Sequence, residues 1–135
     1  MKVLIDTNVI LDVLCNRSEF LEASSLVWKY CEVGRIDGVI SALSVPNIVY
    51  ILRKELDPEK TKKIIERLML IFDIAELKAD DLRKAAEMKT DDYEDALQMC
   101  CADRIGADFI VTRNIRDFTS SPVTAVKPSE LLDRI

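Results

Sequence analysis

Short apolar runs alternate with longer amphipathic segments along the chain, which predicts strands alternating with helices. The predicted strands are apolar throughout or alternate between apolar and polar residues. They cover residues 2–5, 38–41, 71–77, 108–112 and 124–126. Strands that alternate with helices predict an α/β fold with a mainly parallel central sheet of about four to five strands, covered by helices on both faces. We therefore expect one three-layer α/β/α domain over residues 1–135.

The predicted helices carry apolar residues at helical spacing between recognisable start and stop signals. They cover residues 7–14, 19–33, 44–55, 58–70, 79–88, 92–105 and a last helix from 128. Ser18 is expected to cap the second helix and Gly34 to end it, because glycine tolerates a left-handed backbone. Asp57 followed by Pro58 predicts another helix start, since proline fits the first helical position. The strand at 71–77 is expected at an edge of the sheet.

Composition limits the chemistry that this fold can carry. With 49% hydrophobic and 32% charged residues, the chain is typical of a globular domain. It contains no histidine, which excludes a Ser-His-Asp triad, a histidine general base and nearly every catalytic zinc site. Any reaction must use carboxylates, amides, hydroxyls or a bound metal. The net charge of −5 gives no overall attraction for nucleic acid, although a local cationic strip would still bind phosphates.

The cysteines and the N-terminus indicate a soluble cytoplasmic protein. The chain begins with a core strand rather than a secretory signal, and no apolar run approaches the roughly 20 residues of a membrane helix. The four cysteines form no C-x-x-C pair, and Cys100 and Cys101 are adjacent within a predicted helix. We therefore expect buried, reduced thiols.

Acidic residues from separate parts of the chain are predicted to meet at one edge of the sheet. Asp6 ends the first strand, Asp92 and Asp95 begin the helix that leads into strand 108–112, and Asp117 follows that strand. Ligands of open parallel sheets bind beyond the carboxyl ends of the strands. Carboxylates cannot stay close together and ionised without a counter-ion. A hard dication with oxygen ligands, Mg²⁺ or Mn²⁺, is therefore expected there.

Each acid also has a purely structural interpretation. Asp92 would serve as a helix cap, with Asp95 completing a reciprocal capping box, and Asp117 would stabilise a turn. Asp6 is harder to explain in this way, because an unpaired carboxylate at the end of a central strand is costly. The prediction of a metal site rests on the acids as a set.

Three motifs in order along the chain resemble those of PIN domains, a metal-dependent ribonuclease family that includes VapC-like toxins. Residues 6–12, DTNVILD, resemble the opening motif of that family. Residues 94–102, EDALQMCCA, resemble its third acidic motif, and residues 110–114, IVTRN, with Asp117 and Phe118, resemble its closing motif. The first of these alone would be a weak signal. The ordered set spans nearly the whole chain and is fairly specific.

The resemblance implies a Mg²⁺- or Mn²⁺-dependent endoribonuclease that hydrolyses RNA phosphodiester bonds. It makes Asp6, Asp95 and Asp117 catalytic metal ligands, directly or through water, with Asp92 as a neighbouring ligand or as an acid that supports the ligands from behind. The residues that would orient the carboxylates or a metal-bound water are Asn8, Thr112 and Asn114. It further implies a role as the toxin of a toxin-antitoxin pair, with an antitoxin protein as partner, and a homodimer.

One position departs from the pattern of the resembled family. Asn47 stands where the family usually has a catalytic glutamate, in the helix after the second strand. The amide removes one negative charge from the site, so metal should bind more weakly. Glu55 lies about two helical turns further on and is not expected to substitute. The alternative is therefore a catalytically weak or inactive PIN-like domain that binds RNA or a protein partner.

The architecture and the basic residues of the chain each have an alternative interpretation. Phosphoacceptor receiver domains share the expected architecture, but they need an acidic pair at the first site, where this chain has Asp6-Thr7-Asn8. Several basic residues could contact phosphates near the site, or could simply solvate helix faces. They are Arg17, Arg53, Lys54, Lys62, Lys63 and Arg113.

Overall fold

A parallel sheet forms the centre of the computed structural model, which describes residues 1–135. Its strands are β1 (Lys2–Ile5), β2 (Asp37–Ser41), β3 (Asp73–Ala75), β4 (Phe109–Val111) and β5 (Ala125–Val126). The spatial order is β3-β2-β1-β4-β5, and every neighbouring pair is parallel. The predicted α/β class is thereby confirmed, with five strands in the sheet.

Helices connect the strands in the predicted order. They are α1 (Thr7–Leu14), α2 (Leu21–Glu32), α3 (Ser44–Leu52), α4 (Pro58–Ile71), α5 (Ala79–Glu87), α6 (Tyr93–Arg104) and α7 (Pro128–Leu132). A short 3₁₀ helix, Ile115–Phe118, was not predicted and follows β4. Asp57 caps α4 by accepting a hydrogen bond from the backbone N–H of Lys60 at 2.8 Å, as expected. None of the helices is both long and apolar enough to cross a bilayer.

Three predicted boundaries are wrong for local reasons. Helix α2 begins at Leu21 without a side-chain cap, because the N–H of Phe20 donates to the carbonyl of Arg17 in a turn that replaces the cap expected from Ser18. Helix α3 ends at Leu52 rather than 55, since the N–H groups of Lys54 and Glu55 donate to carbonyls three residues earlier instead of four. The edge strand β3 is confined to residues 73–75, because α4 continues to Ile71.

The two faces of the sheet bury separate cores. Side chains alternate along β1, so Val3 and Ile5 pack towards α1, α2, α3, α4 and α7, whereas Leu4 packs towards α6. All three are almost completely buried. Coverage of both faces explains why the strands are short and almost purely apolar.

The order of the strands reverses between β1 and β4. From β1 the chain proceeds outwards through β2 to β3, whereas β4 pairs with the other side of β1 and leads to β5. Such a reversal leaves a crevice at the carboxyl ends of the two central strands, where ligands of open α/β sheets bind. Asp6 follows β1 and Thr112 follows β4, so both lie at this crevice.

A buried ion pair fixes the chain where it leaves β4. Asp12 on α1 has no solvent exposure, and its Oδ2 lies 2.9 Å from Nε of Arg113 and accepts a hydrogen bond from the Ser24 hydroxyl at 3.2 Å. Arg17 approaches the other carboxylate oxygen of Asp12 at 3.6 Å. The guanidinium of Arg113 also lies 4.1 Å from the ring centre of Phe20. These contacts join α1, the start of α2 and the segment after β4.

Replacement of Arg113 by methionine should destabilise the protein strongly. The substitution leaves the buried Asp12 carboxylate without its main partner, which typically costs about 3–5 kcal/mol in the free energy of unfolding. Adding Asp12→Asn should recover part of the loss, because the amide removes the buried charge. Urea denaturation measures both changes, and Lys84→Met, which breaks the exposed pair with Asp80, is the control that should change little. Equal stability of the Arg113→Met and wild-type proteins would contradict this role.

Candidate functional site

A cavity of about 470 Å³ lies at the carboxyl ends of β1 and β4. It is lined by every residue predicted for the site except Thr112, which is buried beneath it. These residues are Asp6, Asn8, Asn47, Asp92, Asp95, Asn114 and Asp117. Glu94 also lines the cavity. The structure therefore brings together acids that are up to 111 positions apart in the sequence, between Asp6 and Asp117.

Asp6 is held rigidly at the floor of the cavity. It is 8% exposed and caps α1, because its Oδ1 accepts a hydrogen bond from the N–H of Thr7 at 2.8 Å. Its Oδ2 accepts a hydrogen bond from the hydroxyl of Thr112 at 2.8 Å. The same hydroxyl accepts from the N–H of Asn114 at 3.1 Å. Thr112 thus links the Asp6 carboxylate to the loop after β4.

Burial raises the pKa of Asp6 above its usual value, because desolvation disfavours the charged form. The hydrogen bonds from Thr112, Thr7 and Gln98 oppose that rise. Gln98 and Ser44 were not anticipated from the sequence. Nε2 of Gln98 lies 3.5 Å from Oδ1 of Asp6 and donates to Oγ of Ser44 at 3.1 Å. A glutamine one helical turn after Asp95, on an otherwise apolar helix face, was the available signal.

Asp92 combines the capping role with a place in the cavity. Its Oδ1 accepts a hydrogen bond from the N–H of Asp95 at 3.1 Å, so Asp92 is the cap of α6. The reciprocal half of the predicted capping box does not form, because the Asp95 carboxylate makes no hydrogen bond or ion pair. That carboxylate is half-buried and lines the cavity.

Asp95 experiences the accumulated negative charge of the site. Desolvation, followed by repulsion from Asp92, Asp6, Asp117 and Glu94, raises its pKa to about 7. No cation pairs with the Asp95 carboxylate. Asp95 keeps its proton to higher pH because the ionised form is disfavoured here. A bound dication would favour the ionised form and so displace that proton.

The remaining oxygen donors lie around the mouth of the cavity. Asp117 is exposed on the 3₁₀ helix after β4 and its carboxylate has no partner, while Asn47 lines the cavity from the first turn of α3. As the side chains stand, no group of three or more acids or cysteines is placed to hold a metal ion. The acids share one cavity, but the side chains are not drawn together around a single point.

The cations near the site differ in their availability. Lys54 is the one basic residue that lines the cavity. Arg17 and Arg113 are instead paired with Asp12. Glu55 does not reach the cavity, as expected.

The cysteines contribute nothing to the cavity. Cys31 and Cys101 are buried as predicted, and burial raises the pKa of Cys31 to about 12 and that of Cys101 to about 11. Cys100 is only partly buried. The prediction of burial is wrong for Cys15, which is exposed because it follows the last residue of α1.

A larger cavity of about 570 Å³ lies between α2 and α7. It contains none of the predicted site residues. Its lining has three acids, Glu19, Glu22 and Asp133, and two cations, Arg113 and Lys127, so the two signs of charge are nearly balanced. The cavity beside Asp6 differs because its acids outnumber its single cation.

Comparison with known proteins identifies the architecture. The family model described as PIN domain matches residues 2–116. The chain has no significant sequence match among curated proteins. Among solved structures, it is similar to VapBC2 from Rickettsia felis bound to a DNA fragment from its promoter, with 15% identity, a TM-score of 0.73, and coverage of 94% of this chain and 98% of that one.

Two further structures share the same fold. DNA-bound VapBC from Salmonella typhimurium is 17% identical, with a TM-score of 0.73 and coverage of 95% of this chain and 98% of that one. A toxin-antitoxin complex from Klebsiella pneumoniae is 19% identical, with a TM-score of 0.71 and coverage of 93% of this chain and 97% of that one. At sequence identities of 15–19%, these comparisons show a shared fold and nothing finer.

Replacing Asp95 by asparagine should stabilise the metal-free protein at alkaline pH. The pKa of Asp95 in the folded state is about 7, above its value of 3.8 in a model peptide, so the folded state binds the proton more tightly than the unfolded state. The cost of ionising Asp95 is therefore absent below about pH 4 and complete above about pH 7. Thermal unfolding in EDTA should show a higher Tm for Asp95→Asn at pH 8, and the gain should fade towards pH 4. A lower Tm for the variant at pH 8 would contradict the repulsion.

Proposed function

We propose that this chain, which belongs to the PIN domain family, is a Mg²⁺- or Mn²⁺-dependent endoribonuclease that hydrolyses RNA phosphodiester bonds. PIN domains are generally nucleases, and the family match supports a hydrolase. The observation that supports a metal-dependent nuclease is the cavity beyond β1 and β4. Asp6, Asp95 and Asp117 line this one space, and burial together with the neighbouring acids raises the pKa of Asp95.

The donor set of this cavity fits a hard dication. Its lining offers five carboxylates and several amide oxygens, with no thiolate or imidazole. Such oxygen ligands select Mg²⁺ or Mn²⁺. The Asp95 and Asp117 carboxylates have no partner to give up, so rotating them towards the fixed Asp6 would break no existing hydrogen bond or ion pair. Asp6, Asp95 and Asp117 would hold the ion, with Asp92 beside them.

In the proposed reaction, the protein side chains would hold the metal ligands in position. A bound dication lowers the pKa of water and offsets the negative charge that develops on the phosphate. Asp6 provides a fixed reference point, because Thr112, Thr7 and Gln98 restrain its carboxylate. Thr112 also fixes the backbone at Asn114, so the loop that carries Asp117 keeps its position relative to Asp6.

The structural neighbours support a protein partner for the toxin role. They include VapBC complexes and a toxin-antitoxin complex, and these share the fold over nearly the whole chain. We propose that this chain acts in the cytoplasm as the toxin of such a pair, binds an antitoxin and forms a homodimer.

Asn47 favours a second candidate, a PIN domain that binds RNA or a protein but cleaves slowly or not at all. Asn47 is among the residues that line the cavity, which supports this candidate, because its side chain is neutral where the resembled family has an acid. No cavity acid contributed by α3 replaces the missing charge. Weaker metal binding is the expected consequence.

Cleavage of structured RNA with Mg²⁺ or Mn²⁺ distinguishes the two candidates. Wild type should cleave only with metal, and Asp6→Asn should lose most of that activity, because it removes the fixed carboxylate. Asn47→Glu should lower the metal concentration that gives half-maximal cleavage. Glu55→Gln is the control outside the cavity and should behave as wild type.

The result that contradicts the enzyme proposal is equally specific. If wild type cleaves no RNA with either metal and Asn47→Glu restores cleavage, the natural protein is not a nuclease and the binding candidate holds.

A further inference from the structure

An open groove of about 800 Å³ runs along the exposed side of α3 and adjoins the acidic cavity. We call it the α3 groove; its lining residues are Val45, Pro46, Val49, Tyr50, Arg53 and Lys54. Tyr50 and Lys54 line both the groove and the acidic cavity. A ligand in the groove would therefore lie next to the proposed metal site.

The α3 groove and the acidic cavity have opposite charge. The groove lining contains two cations, Arg53 and Lys54, and no acid, whereas the cavity lining contains five acids and one cation. Neither cation of the groove forms an ion pair within the chain. A polyanion is repelled by the carboxylates and attracted by the groove, so its phosphates outside the metal site would follow α3.

Tyr50 projects from this groove in a way that core packing does not explain. Its side chain belongs to none of the buried clusters, and the residue is 68% exposed. Nζ of Lys54 lies over one face of the Tyr50 ring, 4.8 Å from its centre, so a stacked base would use the opposite face. An exposed aromatic face beside cations is the combination with which proteins bind single-stranded nucleic acid, through base stacking and phosphate contacts.

We propose that the α3 groove binds a single-stranded segment of RNA, with one base stacked on Tyr50 and a neighbouring phosphate contacted by Lys54. This inference rests on the proposed ribonuclease function and names the form of its substrate next to the cleaved bond. Duplex RNA would not fit this contact, because its bases are stacked on each other and present no free face to Tyr50.

A second copy of the chain is the competing occupant of the α3 groove. A two-fold symmetric contact through the groove would bring Arg53 and Lys54 of both copies, four cations in all, into one interface. Their repulsion disfavours such a dimer, since the groove has no acid to compensate it. The charge of the groove thus favours a polyanionic occupant.

Fluorescence anisotropy with a short labelled single-stranded RNA, in EDTA to prevent cleavage, tests the stacking contact. Tyr50→Ala should weaken binding by roughly 5- to 150-fold, the range found when aromatic stacking platforms are removed. Tyr50→Phe should retain most of the affinity, because the ring face is kept. Leu70→Ala, which removes another exposed apolar side chain, is the matched control and should not change binding.

The salt dependence of the same binding tests the phosphate contact. Lys54→Gln should weaken binding and reduce the slope of log K against log salt by about 0.7, as expected when one phosphate contact to a single strand is lost. Lys60→Gln, at another exposed lysine on α4, is the charge-matched control and should leave the slope unchanged. For an RNA duplex of similar length, Tyr50→Ala should have little effect.

The proposal is overturned if Tyr50→Ala binds single-stranded RNA as tightly as wild type. It is also overturned if Tyr50→Ala dissociates a dimer in sedimentation experiments while RNA affinity stays unchanged, because the groove is then an interface between copies. Cleavage by wild type is measured separately. Tyr50-dependent binding without any metal-dependent cleavage would refute the nuclease function and leave the RNA contact standing.

Discussion

Repulsion among carboxylates at the carboxyl edge of β1 and β4 is the constraint on which the site depends. The reversal of strand order opens a crevice there, and separate segments of the chain bring acids to it. A cluster of this kind costs folding energy, and it persists because the parallel sheet, the α6 cap and the loop after β4 fix its members independently. Burial raises the pKa of Asp95 most, and repulsion from the neighbouring carboxylates raises it further. A dication would turn the unfavourable cluster into a ligand set.

The site is supported by polar contacts that are themselves buried. Thr112 connects Asp6 to the loop after β4, and the ion pair between Asp12 and Arg113 anchors that loop to α1 one residue further along. Ser44 accepts hydrogen bonds from both Thr7 and Gln98, so α3 and α6 are tied to the start of α1. Asp6 therefore has few alternative positions, whereas the exposed Asp117 retains freedom to move.

The sequence predicts most of the architecture because strand and helix periodicity are local signals. The order of the elements and the edge position of β3 are confirmed, and the acids at the strand ends line one cavity. Contacts such as Gln98 to Ser44 were not predictable, since these residues are 54 positions apart and their pairing depends on how α6 crosses the sheet. The expected cap from Ser18 also failed, because a turn ending at Phe20 competes with it.

The α3 groove and the acidic cavity differ in charge. Cations and an exposed aromatic ring line the groove, whereas acids line the cavity that forms the proposed metal site. The central claim is that the acids of the cavity share one dication. The most direct test is a crystal structure with Mn²⁺, in which anomalous scattering locates the ion. We expect one strong anomalous peak between the carboxylates of Asp6, Asp95 and Asp117, with the last two rotated towards Asp6. Ordered, unliganded carboxylates at millimolar Mn²⁺, or a peak only elsewhere on the protein, would contradict the claim.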